Sequence, residues 1–147
     1  MEADKWFSHL LSEDEFRQFV IESLGTKANK KAFIGYVRPE AAKRIKDICG
    51  ITVTKIMADS GAIRHSYERT YHNLEQDDIF HIADVINTAM DIELSTDTNQ
   101  NNQVLYFRKD INGMLTFVEE VRAKHDGWLA LVTCYRKRKA GRRSDAT

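Results

Sequence analysis

The chain has 147 residues with 22 basic and 22 acidic side chains, so its formal net charge is zero. Hydrophobic residues make up 42% and charged residues 30%, which is typical of one ordinary globular domain. No apolar run approaches the roughly 20 residues of a membrane-spanning helix, the acidic N-terminus lacks the order of a secretion signal, and two cysteines are too few for a disulfide framework. We therefore expect a cytoplasmic protein, with no membrane partner and with Cys49 and Cys134 reduced.

The charges are unevenly distributed along the chain. Residues 136–143 hold six basic residues and no acid, whereas residues 1–135 carry 16 basic and 21 acidic residues, a net charge of −5. Such a basic run can attract the phosphates of a nucleic acid of any sequence. The alternative is a solvated, disordered terminus that only keeps the protein soluble, and we predict a basic disordered tail over residues 140–147. The acidic remainder argues against broad coating of nucleic acid, though not against a local basic cleft.

Residues 1–31 are predicted to form a helical N-terminal extension, with its helix over residues 4–24. Ser12 and Glu15 have the spacing of a capping box, and Gly25 stands where a helix stop is expected. One helical face carries the apolar side chains of Phe16, Phe19, Val20 and Leu24.

The main domain is predicted over residues 32–139 and begins with a strand, a helix and a second strand. Residues 32–37 are rich in aromatic and β-branched side chains, which favours a strand. Pro39 suits the first turn of the following helix, and Gly50 ends its apolar repeat. Residues 51–57 are again β-branched and predict the second strand.

A stretch rich in histidine, arginine and tyrosine follows, over residues 63–72. Asp59 and Ser60 form a good N-cap for a helix that carries it. His65 and His72 are seven residues apart, so on a continuous helix they would share one face about two turns apart. This stretch is the first candidate for a functional site.

The rest of the domain is predicted as one further helix and four strands. Asp77 and Asp78 suit the N-terminal end of the helix, and from residue 90 the apolar period becomes strand-like, with Asn112-Gly113 as a tight turn. The strands are predicted over residues 90–94, 103–109, 114–122 and 128–136. This order of elements indicates an α+β fold, with N-terminal helices packed on a meandering antiparallel sheet.

Strict alternation along the last strand predicts which of its side chains share a face. By this rule one face carries Leu129, Leu131, Thr133 and Tyr135. The leucines suit the core, and the hydroxyl and the phenol would continue outward to meet His65 on a helix packed across the sheet. The alternative is that Thr133 and Tyr135 are ordinary strand formers and that His65 is a half-buried histidine with satisfied hydrogen bonds.

An ordered set of motifs resembles a known family of nucleases. The set consists of Ile63-Arg64-His65 with His72 after it, the Asn112-Gly113 hairpin, Thr133-x-Tyr135 and the basic run that follows. Over residues 32–139 it is similar to the phage-associated branch of the barnase–EndoU–colicin–RelE-like (BECR) nucleases. The resemblance implies a small α+β domain, metal-independent ribonuclease activity and a toxin-like role in phages or mobile elements.

The same resemblance implies roles for individual residues. His65 would be the principal general base or acid, with His72 as its partner, although His72 lacks the lysine or histidine neighbours usual in the family. Thr133 would bind or orient a phosphate oxygen, and Tyr135 would position the nucleotide or the histidine. Arg64 would hold phosphate, and to it we add Arg69, Arg136 and Lys137 as further predicted phosphate-binding residues.

These residue types can cleave RNA without a metal. The 2′-hydroxyl attacks the adjacent phosphorus while one group removes its proton and another protonates the leaving 5′ oxygen. Histidine suits both steps because its ordinary pKa of about 6.5 lies near working pH, and arginine offers forked donors to phosphate oxygens. The sequence contains no metal-binding motif, so we expect no metal and no other cofactor. The expected partners are RNA, with tRNA as one candidate, and an immunity or inhibitor protein.

The main alternative is a non-catalytic module on the same scaffold, which binds RNA or blocks a host protein. The acidic body of the chain favours this alternative. It predicts that His65 and Tyr135 lie far apart or are fully buried.

Overall fold

A single six-stranded sheet organises the described part of the chain. The computed structural model describes residues 9–25, 30–69, 72–99, 101–122 and 127–137. In these residues the helices are α1 (Glu13–Gly25), α2 (Pro39–Cys49), α3 (Ser60–Glu68) and α4 (Ile82–Thr88), with a 3-10 helix (Asp78–His81) that leads directly into α4. The strands are β1 (Lys31–Tyr36), β2 (Val53–Asp59), β3 (Asp91–Leu94), β4 (Val104–Asp110), β5 (Met114–Arg122) and β6 (Gly127–Lys137), in the spatial order β1-β2-β6-β5-β4-β3.

The α+β class predicted from the sequence is confirmed. Strands β3 to β6 form an antiparallel meander, and β1 and β2 form a second antiparallel pair. These two parts join where β6 pairs in parallel with β2, a pairing that the sequence pattern did not predict. The two strands approach closely at Gly127, where a Cβ atom would lie only 2.1 Å from the carbonyl oxygen of Thr52, so only glycine fits there.

The N-terminal helix and the second strand begin at least two residues later than predicted. Helix α1 begins at Glu13, because Leu11 is extended and donates its backbone N–H to the carbonyl of Phe33 at 2.9 Å. The predicted capping box then starts the helix: Glu15 N–H donates to Ser12 Oγ at 3.2 Å, and Ser12 N–H donates to Glu15 Oε1 at 2.8 Å. Strand β2 runs over Val53–Asp59, two residues later than predicted. The first residues of the predicted helix, 4–8, lie outside the described part of the chain.

The core lies between the helices and one face of the sheet, which we call the inner face. Its fully buried side chains include Ile45, Ile56, Ile63, Ile82, Phe107, Phe117 and Leu129. Burying each such side chain contributes about 1.5–3 kcal/mol to folding. Helix α1 adds Phe16, Phe19 and Val20 to the same cluster. The helix of the N-terminal extension therefore shares the core of the main domain, whereas the predicted tail, 140–147, lies outside the described residues.

A β-bulge in β6 changes which side chains share a face. Val118 pairs with Thr133, but the next residue of β5, Glu119, pairs with Leu131, so Val132 is an extra residue in β6. Cys134, paired with the core residue Phe117, therefore lies on the inner face together with the leucines. The prediction that Leu129, Leu131, Thr133 and Tyr135 share one face was wrong beyond the bulge. Thr133 and Tyr135 lie on the opposite face, which we call the outer face.

Helix α3 takes the place of a strand beside the last part of β6. The pairing of β2 with β6 ends at Met57 and Ala130, whereas β6 continues to Lys137. Beyond that point the backbone N–H of Cys134 donates to Ser66 Oγ at 3.0 Å. Helix α3 thus satisfies a sheet-edge donor that a neighbouring strand would otherwise pair. This position brings His65, the residue before Ser66, to the edge of the sheet.

Candidate active site

An open cleft of about 260 Å³ lies where α3 meets the edge of the sheet. His65 is half-buried and lines it, together with Asp59, Gly61, Ala62, Asn99, Glu120, Arg122, Leu131 and Val132. The start of α3 is fixed by the predicted cap, in which Asp59 Oδ1 accepts the backbone N–H of Ala62 at 2.7 Å. The imidazole predicted to be the principal catalytic group is therefore held on a short capped helix and open to solvent.

The second predicted histidine stands behind the first. Helix α3 ends at Glu68, so the condition under which the sequence placed both histidines on one helical face is not met. The chain nevertheless returns, and the rings of His65 and His72 lie edge to face with their centroids 5.9 Å apart. His72 is 7% exposed, and its ring centroid is also 5.9 Å from that of Tyr135. The structure thus brings His65, His72 and Tyr135 into one row of rings.

One hydrogen bond sets the tautomer of His72. Its Nδ1 lies 2.9 Å from the backbone carbonyl oxygen of Ser66. A carbonyl can only accept, so Nδ1 carries the proton and donates it. In the neutral imidazole, Nε2 is then the atom with a lone pair. The bond also ties the segment after α3 back onto the helix that carries His65.

Thr133 lies on the outer face of the sheet, as does Tyr135 of this row. Val132, the bulge residue before Thr133, lines the cleft itself. Thr133 Oγ1 is buried and has no hydrogen-bond partner among the described residues. An unpaired buried hydroxyl costs free energy, and a ligand could reach this oxygen only after the groups that cover it move.

The four predicted phosphate-binding residues have different environments. Arg64 points towards α1, where its Nη1 donates to the carbonyl of Ser23 at 3.2 Å. Arg69 is exposed just after the end of α3, and Lys137 is exposed at the end of β6. Arg136 differs from all three, because it is only 3% exposed.

Arg136 is held in a buried ion pair. Its Nη1 and Nη2 donate to the two carboxylate oxygens of Asp78 at 2.5 and 2.8 Å. The guanidinium also donates to the carbonyl oxygens of Ile111 and Asn73. Hydrogen bonding to Asp78 raises the pKa of Arg136 further above its usual range. With its donors used in this way, Arg136 is not available to a phosphate, so we correct the predicted set and remove it.

A clamped carboxylate in the cleft was not predicted from the sequence. Glu120 is 2% exposed, accepts Asn102 Nδ2 at 2.7 Å, and accepts Nε and Nη2 of Arg122 at 3.2 and 3.0 Å. The signal was present, because Glu120 and Arg122 are two apart on a predicted strand and so share a face. Their partner Asn102 comes from a polar loop whose path the sequence does not determine.

The cleft is not basic, although the sequence was compatible with a local basic cleft. Its ionisable lining in the described residues comprises Asp59, Glu120, Arg122 and His65. Two carboxylates thus face one guanidinium and one imidazole. Among these lining residues, the two carboxylates and the imidazole can transfer protons, and the guanidinium of Arg122 can donate hydrogen bonds to a phosphate.

Comparison with known proteins gives one match. A family model described as phage-Barnase-EndoU-ColicinE5/D-RelE like nuclease3 matches residues 35–143. Neither the curated proteins nor the solved structures include a match to this chain. Among the described residues, none of the helices has the length and apolar character needed to cross a membrane.

Proposed function

The chain belongs to this family of phage-associated nuclease-like domains, and from that premise we propose that it is a metal-independent endoribonuclease. It would act as a toxin-like effector that cleaves RNA, with tRNA as one candidate, through attack of the 2′-hydroxyl on the adjacent phosphorus. The observation that supports this proposal most is an open cleft that is lined by both the His65 imidazole and the Glu120 carboxylate. Proton donor and acceptor are then both protein groups, as this reaction requires.

We assign the main proton transfer to His65. It is the histidine that lines the cleft, and it sits on an element fixed at both its cap and its contact with β6. Two groups are candidates for the second proton transfer. Glu120 lines the same cleft, whereas His72 stands behind His65 and could act on it or through it. In either case the reaction needs no group beyond those that the chain supplies.

The phosphate and nucleotide contacts follow from the remaining side chains. Arg122 is the cleft guanidinium and replaces Arg136 as the phosphate donor. The unpaired Thr133 hydroxyl is the candidate contact for a phosphate oxygen. Tyr135 packs near His72 and would hold that ring or the nucleotide in place, while the exposed Arg69 and Lys137 would add charge attraction.

Incubating the full chain with total RNA and with purified tRNA, in the presence of a metal chelator, tests the proposal. The wild-type protein is expected to cleave, and His65→Ala is expected to lose about 10²–10⁴-fold in rate, the usual contribution of one acid–base group. His9→Ala is the matched control, because His9 is exposed and pairs only with Glu15 among the described residues. Absence of cleavage by the wild type, or equal cleavage by His65→Ala, would contradict the proposal.

A non-catalytic module on the same scaffold is the second candidate. The two carboxylates that line the cleft favour the form of it that binds a host protein, because they repel a polyanion such as RNA. Under this candidate the wild type binds RNA or a host protein without cutting RNA, and His65→Ala binds as tightly as the wild type. Expression in a host cell separates the two candidates: a nuclease slows growth unless His65 is replaced or a cognate inhibitor is supplied.

A further inference from the structure

The turn between β3 and β4 brings an asparagine to the cleft. Asn99 is half-buried and belongs to the lining of that cleft. Its backbone N–H donates to the carbonyl of Asn102 at 2.9 Å, and the N–H of Asn102 donates back to the carbonyl of Asn99 at 2.8 Å. Two reciprocal hydrogen bonds of this kind close a tight antiparallel turn. They hold Asn99 in place beside the candidate catalytic groups.

Two other asparagines of this turn have structural roles that Asn99 does not share. Asn101 has φ of 67°, in the left-handed region that asparagine adopts more readily than most residues. Asn102 donates its side-chain amide to Glu120. The backbone of Asn99 lies outside the left-handed region, and among the described residues its side-chain amide has no hydrogen-bond partner. The turn therefore does not need this side chain, and its amide is available to a ligand.

An amide suits the edge of a nucleobase. Its oxygen accepts and its NH₂ group donates, so it can make two hydrogen bonds to a base that presents an amino group beside a ring nitrogen. Adenine and cytosine present this pair on their Watson–Crick edges, which are open to contact in single-stranded RNA. Among the described residues that line the cleft, Asn99 has the one amide side chain.

The charged groups of the cleft disfavour the other two bases. Guanine is most often read by the forked donors of an arginine, but Nε and Nη2 of Arg122 already donate to Glu120. Uracil presents two carbonyl oxygens beside its ring N–H, and the carboxylate of Asp59 in the same lining repels such oxygens. An amino group, in contrast, can donate to a carboxylate.

The size of the cleft suits a single nucleotide. Its volume is about 260 Å³, close to the lower end of the range of about 300–1,000 Å³ found for sites that bury a small molecule. Ala62, Leu131 and Val132 give the lining an apolar part. The ring of a base can pack on these side chains while its edge meets Asn99.

We propose that Asn99 selects the base of the nucleotide bound in the cleft and favours adenine and cytosine over guanine and uracil. This inference rests on the proposed function for its RNA substrate. Asn99 contacts the base edge, and His65 acts on the ribose and phosphate of the same nucleotide. One such pair of hydrogen bonds discriminates against a wrong base by about five- to 150-fold.

Equilibrium binding of nucleoside 3′-monophosphates tests this inference without any catalytic step. The wild-type chain is titrated with each of the four by isothermal titration calorimetry. The adenosine and cytidine compounds are expected to bind about fivefold or more tightly than the guanosine and uridine compounds. Equal affinity for all four, binding of none, or a preference for guanine or uracil would overturn the inference.

Two variants of Asn99 and one control separate base selection from folding. Asn99→Ala removes the amide, and Asn99→Asp keeps its size but loses the donor to the ring nitrogen, so both are expected to remove the preference. Thr98→Ala changes the exposed neighbour of Asn99 and should keep the preference. A merely structural role would weaken all four ligands equally and lower thermal stability. The full wild-type preference in either Asn99 variant would overturn the inference.

The two proposals fail in different ways. If the 3′-monophosphates bind with the expected preference but the wild-type protein cuts no RNA, base selection stands and the ribonuclease proposal falls. If RNA is cut through His65 at all four bases alike, and Asn99→Ala gives the same pattern of cuts, the ribonuclease stands and base selection falls.

Discussion

At the scale of single residues, Glu120 is the group whose role most needs a direct test. Its carboxylate is fixed by Asn102 and Arg122 within the cleft that His65 lines. If it supplies the second proton transfer, Glu120→Gln should lower the cleavage rate about 10²–10⁴-fold, while the amide keeps the size of the side chain and one acceptor oxygen for Arg122. Single-turnover kinetics on an RNA oligonucleotide measure this.

The Glu120 experiment includes a control variant and a variant of His72, the other candidate for the second proton transfer. Glu93→Gln changes an exposed strand carboxylate that also pairs with an arginine, Arg108, and should leave the rate unchanged. His72→Gln should cause the large loss instead if His72, not Glu120, is the partner of His65. A rate unaffected by Glu120→Gln would remove Glu120 from the mechanism.

Glu119, the neighbour of Glu120 in β5, lies on the inner face. Its burial leads to a prediction about how the free energy of unfolding depends on pH. Both of its carboxylate oxygens are buried without a hydrogen-bond partner among the described residues. Burial therefore raises the pKa of Glu119 well above its ordinary value. The folded protein keeps this group protonated at a pH where the unfolded chain, with a pKa near 4.5, releases the proton.

The sign of the resulting pH dependence follows from proton linkage. Above about pH 4.5 the folded state binds one proton more than the unfolded state, so the free energy of unfolding falls as pH rises, by up to about 1.4 kcal/mol per pH unit. Glu119→Gln is neutral in both states and should remove this contribution. Denaturant unfolding at pH 5, 6.5 and 8 measures it, with Glu93→Gln as the exposed control. A pH slope identical in Glu119→Gln and wild type would contradict this account.

At the scale of elements, the Arg136–Asp78 pair joins β6 to the 3-10 helix and to the segment that carries His72. Asp78 also accepts the backbone N–H of Glu75 at 2.6 Å, and Arg136 donates to the carbonyl of Asn73. The pair thus anchors the residues that follow His72. In this view Arg136 serves the site by holding the chain in place rather than by binding phosphate.

Breaking this pair should destabilise the fold strongly. Asp78→Asn leaves a buried guanidinium without its counter-charge, at an expected cost of about 3–5 kcal/mol. Urea unfolding measures the loss, and the exposed helical pair Lys43–Asp47 provides the control, since Asp47→Asn should cost under about 0.5 kcal/mol. A loss below about 1 kcal/mol for Asp78→Asn would show that the pair does not anchor this segment.

The elements also show what a sequence can and cannot predict. Local signals were sufficient for the cap at Asp59, the stop at Gly50 (φ 81°) and the Asn112-Gly113 turn, whose residues have φ of 57° and 107°. Alternation failed in β6 because one extra residue, Val132, reverses the face of every later side chain. A bulge depends on how two strands fit together, and no local pattern in β6 alone specifies it.

At the scale of the whole molecule, the site depends on contacts between distant parts of the chain. Helical spacing and strand alternation predicted that His65 lies near His72 and Tyr135. In the structure these rings meet in a different way, because α3 flanks the sheet edge and the segment after it supplies His72. Glu120 and its clamp were missed because Asn102 reaches them from a loop. Side-chain identity and spacing predict elements, whereas the site depends on the sheet order, in which β6 lies between β2 and β5.

The charge distribution predicts how RNA binding should respond to salt. The body of the chain is acidic, and six basic residues lie within 136–143. Neutralising Arg142 and Arg143 with alanine should reduce the slope of log affinity against log salt by up to about 1.4 for single-stranded RNA, because each lost phosphate contact removes about 0.7. Filter binding of inactive His65→Ala protein across a salt series measures the slope. An unchanged slope would mean that this basic run is solvated and does not contact RNA.

The central claim is that His65 drives attack of a ribose 2′-hydroxyl on the adjacent phosphorus. The most direct measurement uses an RNA oligonucleotide, with chelator present, and a matched oligonucleotide that carries a single 2′-deoxy nucleotide at the mapped cleavage position. The account predicts that the RNA yields a 2′,3′-cyclic phosphate end, that the deoxy substitution blocks the cut, and that His65→Ala loses the cut in RNA. Cleavage of the deoxy-substituted oligonucleotide at the same position, or a wild-type product without a cyclic phosphate at any time point, would contradict it.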